Sequence, residues 1–145
     1  MAVPSHRRTP APWRIHFFQR SAEDDSSRSV PSIDFLDSLP AKIAAEVHAV
    51  LDAVAASPPP AFSGGGKWEA MHADMAGYFE VRVQGGGMNH RLFCRLERDA
   101  DDLGGSSIVC IDGLSKLRRT AAQPRDYRRV KRYGAEFRDR RTVLE

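Results

Sequence analysis

The stretch from Tyr78 to Glu97 constrains the fold more than any other part of the chain. Residues 78–84 (YFEVRVQ) and 90–97 (HRLFCRLE) are rich in β-formers and alternate apolar with polar, and a GGGMN turn separates them. Pairing through that turn sets Arg82 opposite Arg91 and Glu80 opposite Phe93. Phe79, Val81, Val83, Leu92, Cys94 and Leu96 then share one face, while Glu80, Arg82, Gln84, Arg91 and Arg95 share the other. A one-residue slip mixes the two sets, so the pattern itself selects the register. Arginines converging on the polar face of a small sheet suit a phosphate ligand.

Around this hairpin the chain reads as one domain. Residues 1–12 carry three prolines and no apolar period, as in a disordered arm. Trp13–Phe18 suits a first strand. Pro31–Leu39 suits a short helix, with proline in its first turn. Residues 41–56 form the clearest helix, because Ile43, Val47, Val50, Leu51 and Val54 recur at spacings of three and four. SPPPAFSGGG (57–66) cannot continue it. Lys67–His72 reads as a short strand, 99–107 as a loop and Ser106–Gly113 as the last strand. A link holding Lys116, Arg118 and Arg119 leads to a basic helix over 124–141, loosened near Gly134. Residues 142–145 read as a tail. If the second hairpin closes symmetrically, Cys94 and Cys110 fall opposite each other as buried, reduced thiols, which fits a cytoplasmic protein.

Charge is unevenly spread. Residues 1–66 hold six Lys/Arg against seven Asp/Glu, and 67–113 hold five against eight. Residues 114–145 hold eleven against four, a local excess on a nearly neutral body. That asymmetry points to a polyanionic partner approached through one face. No apolar run approaches the roughly 20 residues of a membrane span, and the N-terminus has no apolar stretch of the secretory kind. The histidines and the two cysteines show no metal-ligand spacing, so neither metal nor other cofactor is expected. The Gly-rich stretches at 64–66 and 85–87 lack the context of phosphate loops and read as turns.

The ordered set WRIHFF, VPSIDFLDSLPAKIAAEVHAVL, GKWEAMH, GYFEVRV…NHRLFCRL and IVCIDGLSK, followed by a proline and a basic helix, resembles the RelE/ParE superfamily of bacterial and phage toxins. Its closest likeness there is to the HigB-like, phage-derived branch, and it spans roughly residues 13–138. The resemblance implies an α+β fold: a small antiparallel sheet of about four strands, flanked by two N-terminal helices and a basic C-terminal helix. It makes residues 13–141 the toxin domain. Many members are ribosome-dependent mRNA endoribonucleases, others poison DNA gyrase without nuclease activity, and most are neutralised by a cognate antitoxin. An antitoxin, here expected to be of the helix-turn-helix type, and the ribosome with its mRNA are therefore the implied partners. Leu117 stands where the family often has a second lysine, and the 99–107 loop is longer than usual.

RNA cleavage without a metal needs the 2′-hydroxyl aligned with its phosphorus, a route for its proton, and stabilisation of the added phosphate charge. Arg82 and Arg91 are the candidate grips on the scissile phosphate, since arginine donates in a fixed fork and stays charged. Lys116 is the candidate for neutralising the developing charge or protonating the leaving oxygen. Lys67, Glu80 and Lys116 each remain candidates for the base. Lys67, Arg95, Arg118, Arg119 and Arg128 supply cations for the RNA backbone, and Tyr127 an aromatic surface for a base. The plainer alternative pairs Arg82 and Arg91 with Glu80, Asp112 or Glu97 on a solvated face.

Overall fold

A computed structural model describes residues 12–57 and 66–144. All of the arm expected over 1–12 except Pro12, and most of the Pro/Gly-rich break, lie outside the described residues. The elements run β1 (Arg14–Phe18), α1 (Pro31–Asp37), α2 (Ala41–Ala56), β2 (Trp68–Ala70), β3 (Tyr78–Gly85), β4 (Met88–Glu97), β5 (Ser107–Leu117), α3 (Arg128–Arg140) and β6 (Val143–Leu144). One sheet holds all six strands in the order β2-β3-β4-β5-β1-β6.

The expected hairpin forms in the expected register, with Arg82 facing Arg91 and Glu80 facing Phe93. Two features correct the sequence reading of the sheet. It has six strands rather than about four, and it is mixed: β1 lies parallel to β5, from Arg14 against Ser107 to Phe17 against Cys110. The long β5 has a second edge beyond β4, and β1 satisfies its backbone groups there. The segment read as a tail adds the last strand, with Val143 beside Phe18 and Leu144 beside Phe17.

Each face of the sheet carries its own core. Helices α1 and α2 place Leu36, Val47, Leu51 and Val54 on Val81, Val83, Leu92, Cys94 and Ile108. On the opposite face α3 places Val130, Tyr133 and Phe137 on Phe18, Tyr78, Phe93, Val109 and Ile111. The face read from the hairpin as polar is therefore polar at one end only, because the apolar stripe of the basic helix covers the rest. Gly134 does not loosen that helix, which runs unbroken from Arg128 to Arg140. A Cβ at Gly134 would lie 1.7 Å from the Tyr78 hydroxyl, so the glycine lets α3 approach β3 closely. The basic segment starts later than expected, with a 3-10 turn over Pro124–Tyr127 preceding α3.

A single irregularity decides what the functional end contains. Along β5, Cys110 faces Cys94 and Asp112 faces Phe93, leaving Ile111 without a partner on β4. Such a bulge adds one residue to one strand and shifts the alternation of everything after it. Ile108 and Cys110 point toward α1 and α2. Beyond the bulge, Leu114 stands beside Arg91 and Lys116 beside Asn89, on the arginine face. Without it, Lys116 would share the parity of Cys110 and point to the other side. β5 also extends to Leu117, so Lys116 sits within the strand rather than in a link.

Candidate active site and nucleic-acid interface

Three cross-strand rungs lead from the buried part of the α3 face to its open end. Glu80, Phe93 and Asp112 form the first, Arg82, Arg91 and Leu114 the second, and Gln84, Asn89 and Lys116 the third. Regular pleating holds these side chains on one surface, about 5 Å from strand to strand.

Glu80 is 7% exposed and lies between the two arginines. Its Oε1 is 3.6 Å from Arg82 Nε, and its Oε2 is 3.8 Å from Arg91 Nη1. Neither contact is a hydrogen bond, and Oε2 is buried without a hydrogen-bond partner among the described residues. Burial pushes the Glu80 carboxyl above the ordinary range, opposed by Arg91 and then Arg82, with Glu69 adding a small upward push. Arg82 also donates to Glu69 Oε2 at 3.1 Å, and Arg91 donates to the Tyr127 hydroxyl at 3.3 Å. The Tyr127 ring stands edge-on to Phe93, centroids 5.7 Å apart.

Lys116 Nζ donates to Asp126 Oδ2 at 2.7 Å and more weakly to the Ala121 carbonyl at 3.4 Å. The same Asp126 oxygen accepts from the Gln123 backbone N–H at 2.6 Å, capping the 3-10 turn. That backbone bond, followed by Lys116, holds the Asp126 carboxyl below the usual range. Beside Lys116 opens a groove of about 730 Å³ whose cations are Lys116, Arg119, Arg125 and Arg128.

The basic segment divides into cations already engaged and cations still available. Arg141 ties the 97–102 loop to the end of α3, bonding Glu97 and, at 2.9 and 3.0 Å, Asp102. Arg140 pairs with Glu23 at 2.7 Å, and Arg20 reaches back to Glu136 at 2.9 Å. Arg129 clasps the buried Asp112 at 2.8 and 3.2 Å. By contrast, Arg119, Arg125, Arg128 and Lys131 make no ion pair among the described residues. Of these, Arg119, Arg125 and Arg128 line the groove beside Lys116.

The residues expected to act together are only partly assembled. Arg82, Arg91 and Lys116 share one face, and Tyr127, Arg118, Arg119 and Arg128 border it, with Arg118 donating to Gln84 at 3.0 Å. Lys67 does not join them; it pairs with Glu46 of α2 at 2.7 Å. Arg95 lies over the Tyr78 ring at 5.0 Å, beyond the Glu80 rung, where it packs rather than reaches for a ligand. Sequence reading missed Arg125, Asp126 and Asn89. An acidic residue two places after Pro124 was the available sign of a capped turn. Asn89 gave no local sign, since only its register against Lys116 places it there. Cys94 and Cys110 lie buried with Sγ atoms 4.0 Å apart, and burial raises the Cys94 thiol. Among the described residues, no three His, Cys, Asp or Glu side chains gather to hold a metal, and no helix is long and apolar enough to cross a membrane.

No protein-family model matches the chain, and no curated protein matches it. Among solved structures it is similar to the RelBE2 toxin–antitoxin complex from Mycobacterium tuberculosis, at 16% identity and a TM-score of 0.47. That alignment covers 72% of this chain and 99% of the other. A likeness so slight carries no functional conclusion.

Proposed function

We propose that this protein is a cytoplasmic toxin of the RelE/ParE type, in its HigB-like branch, that cuts mRNA on the ribosome as a metal-independent endoribonuclease. The branch rests on the sequence segments quoted above. The observation that carries the nuclease reading is Glu80, a carboxylate 7% exposed with one oxygen unbonded, set between two arginines. A base at neutral pH works best when its affinity for a proton is raised toward that pH, and burial raises Glu80. In this mechanism Glu80 takes the proton of the 2′-hydroxyl as the 2′-oxygen bonds to phosphorus. Arg82 and Arg91 stabilise the charge gathering on the phosphate oxygens. Lys116 gives a proton to the 5′-oxygen as its bond to phosphorus breaks, leaving a cyclic phosphate and a free 5′-hydroxyl. The unpaired cations of the groove hold the flanking backbone, and a cognate helix-turn-helix antitoxin covers the same surface.

A second reading, a ParE-like gyrase inhibitor or an inactive binding module, has one observation in its favour. Arg82 and Lys116 already have close carboxylate partners, at 3.1 and 2.7 Å. Controlled expression with mapping of cellular mRNA 5′ ends, wild type against Arg82→Ala, separates the two. Translation-dependent 5′ ends inside coding sequence, absent in the variant, are expected. Intact mRNA with arrested growth would shift the target to gyrase, and equal cleavage by a folded Arg82→Ala protein would remove the arginine from the mechanism.

A further inference from the structure

We propose that residues 118–127 form a strap over the arginine–lysine face, with Asp126 occupying the place of an RNA phosphate at Lys116 until a strand displaces it. The idea deepens the nucleolytic reading and rests on it for the identity of the ligand.

Side-chain and backbone ties fasten the strap, among them the Arg118 backbone N–H to the Gly87 carbonyl at 3.0 Å and Lys116 to the Ala121 carbonyl at 3.4 Å. Arg118 donates to Gln84 at 3.0 Å, Lys116 to Asp126 at 2.7 Å, and Arg91 to Tyr127 at 3.3 Å. Apolar support is slight, since Tyr127 against Phe93 is its main apolar contact. The ties from Lys116 and Arg91 use cations assigned to the reaction, so the strap and a phosphodiester compete for the same donors. Asp126 supplies what a phosphate would supply, an anionic oxygen within hydrogen-bond distance of Lys116 Nζ.

An independent observation comes from beneath the strap. The Asn89 carboxamide makes no hydrogen bond among the described residues, and its Oδ1 is fully buried. It lines a crevice of about 10 Å³ with Arg91, Leu114, Lys116, Thr120 and Ala122, too tight for a ligand while the strap is down. Glu80 Oε2, on the other side of the Arg91 rung, is likewise buried and unbonded. Two orphaned acceptors flanking two cations are costly in a final state, and a nucleotide strand brings donors on its bases for the acceptors beside the phosphate that the cations take. The open groove next to the strap gives an approaching strand its first contacts, through Arg119, Arg125 and Arg128. Displacement of Asp126 then uncovers the acceptors together with the cations.

The test is binding of a fluorescent, single-stranded 2′-deoxy oligonucleotide, which cannot be cleaved by 2′-hydroxyl attack, to the full chain. Asp126→Asn keeps a capping oxygen and removes the competing charge, and it should bind about fivefold tighter than wild type. Gln84→Ala removes the side-chain tie at the other end of the strap, leaving the Arg118 backbone bond to Gly87, and should tighten binding by a smaller factor. Affinity unchanged or weakened in a folded Asp126→Asn protein would overturn the strap. If that variant fails to fold, Gln84→Ala decides alone: tighter binding supports the proposal and equal binding overturns it. Tighter binding of polyglutamate without tighter binding of the oligonucleotide would overturn the assignment to nucleic acid. Tightening of oligonucleotide binding by a protein that cuts no mRNA on ribosomes would uphold the strap and remove the nuclease reading instead.

Discussion

Replacing Glu80 with Gln separates a catalytic carboxylate from a structural one, because the two roles predict opposite pairs of outcomes. The substitution keeps the shape of the side chain and removes its charge and its basicity. As the general base, Glu80 should be worth about 10²–10⁴ in cleavage rate. Its contribution to folding should be small. The arginine contacts at 3.6 and 3.8 Å are longer than good ion-pair hydrogen bonds, and Oε2 already forgoes a partner in the buried state. A buried group left unbonded costs about 1–3 kcal/mol, which offsets much of the attraction to the arginines, so Glu80→Gln should fold within about 1 kcal/mol of wild type. The sign with pH is fixed by the raised carboxyl. Folding holds the proton more tightly than the unfolded chain does, so wild type loses stability as pH rises from the unfolded value through the raised one. Glu80→Gln lacks this loss and should gain on wild type across that window. Urea unfolding at acid and neutral pH, together with single-turnover cleavage on programmed ribosomes, measures both effects. A variant destabilised by more than about 3 kcal/mol that still cuts at the wild-type rate would refute the reasoning.

Three further outcomes follow from the geometry. Arg129→Met leaves the 1%-exposed Asp112 without its guanidinium and should cost about 2–3 kcal/mol, below the usual figure for a broken buried pair because water reaches the Arg129 side. Adding Asp112→Asn should restore part of that loss in urea melts, and an equal or greater loss would contradict the account. Gly134→Ala drives a methyl into the Tyr78 hydroxyl and should cost about 1–3 kcal/mol, partly relieved by Tyr78→Phe when thermal midpoints are compared. Replacing Arg119, Arg125 and Arg128 together with Gln should weaken single-stranded RNA binding and flatten its salt dependence by about 0.7 in slope per lost phosphate contact, whereas replacing Arg138 should leave the slope as it is.

The central hairpin was legible because its two faces differ so sharply in polarity that only one register keeps them apart. That was enough to set Arg82 against Arg91. Helix α2 was legible for the same kind of reason, an apolar stripe at helical spacing. The parallel pairing of β1 with β5 was not, since alternation within a strand says which side is buried and nothing about which distant strand lies alongside. β6 was too short to carry a period of its own. The bulge at Ile111 was hidden by composition: Ile108, Val109, Cys110 and Ile111 are all apolar and all buried, so no polar residue marks where the alternation slips. Lys67 was read as a cation for the RNA backbone and a candidate base, and its side chain pairs with Glu46 of α2.

The excess of eleven basic over four acidic residues in the last segment overstates the charge available to a ligand. Arg129 and Arg141 are engaged by carboxylates on β4, β5 and the loop between them, and Arg140 by the acidic loop after β1. These ties use the acidic stretches at 23–25 and 97–102 to dock α3, which gives those stretches a structural role at its C-terminal end. Had the neutralising acids lain at the other end, the groove beside Lys116 would be electrically quiet and the far end of the helix charged. The arrangement found does the reverse, leaving Arg119, Arg125 and Arg128 without an ion pair among the described residues, next to the lysine that the β5 bulge turns toward Arg91. A one-residue irregularity in a buried strand and the placement of two acidic loops thus act on the same site. The bulge selects which cation reaches it, and the loops determine which neighbouring cations remain free to guide a polyanion there.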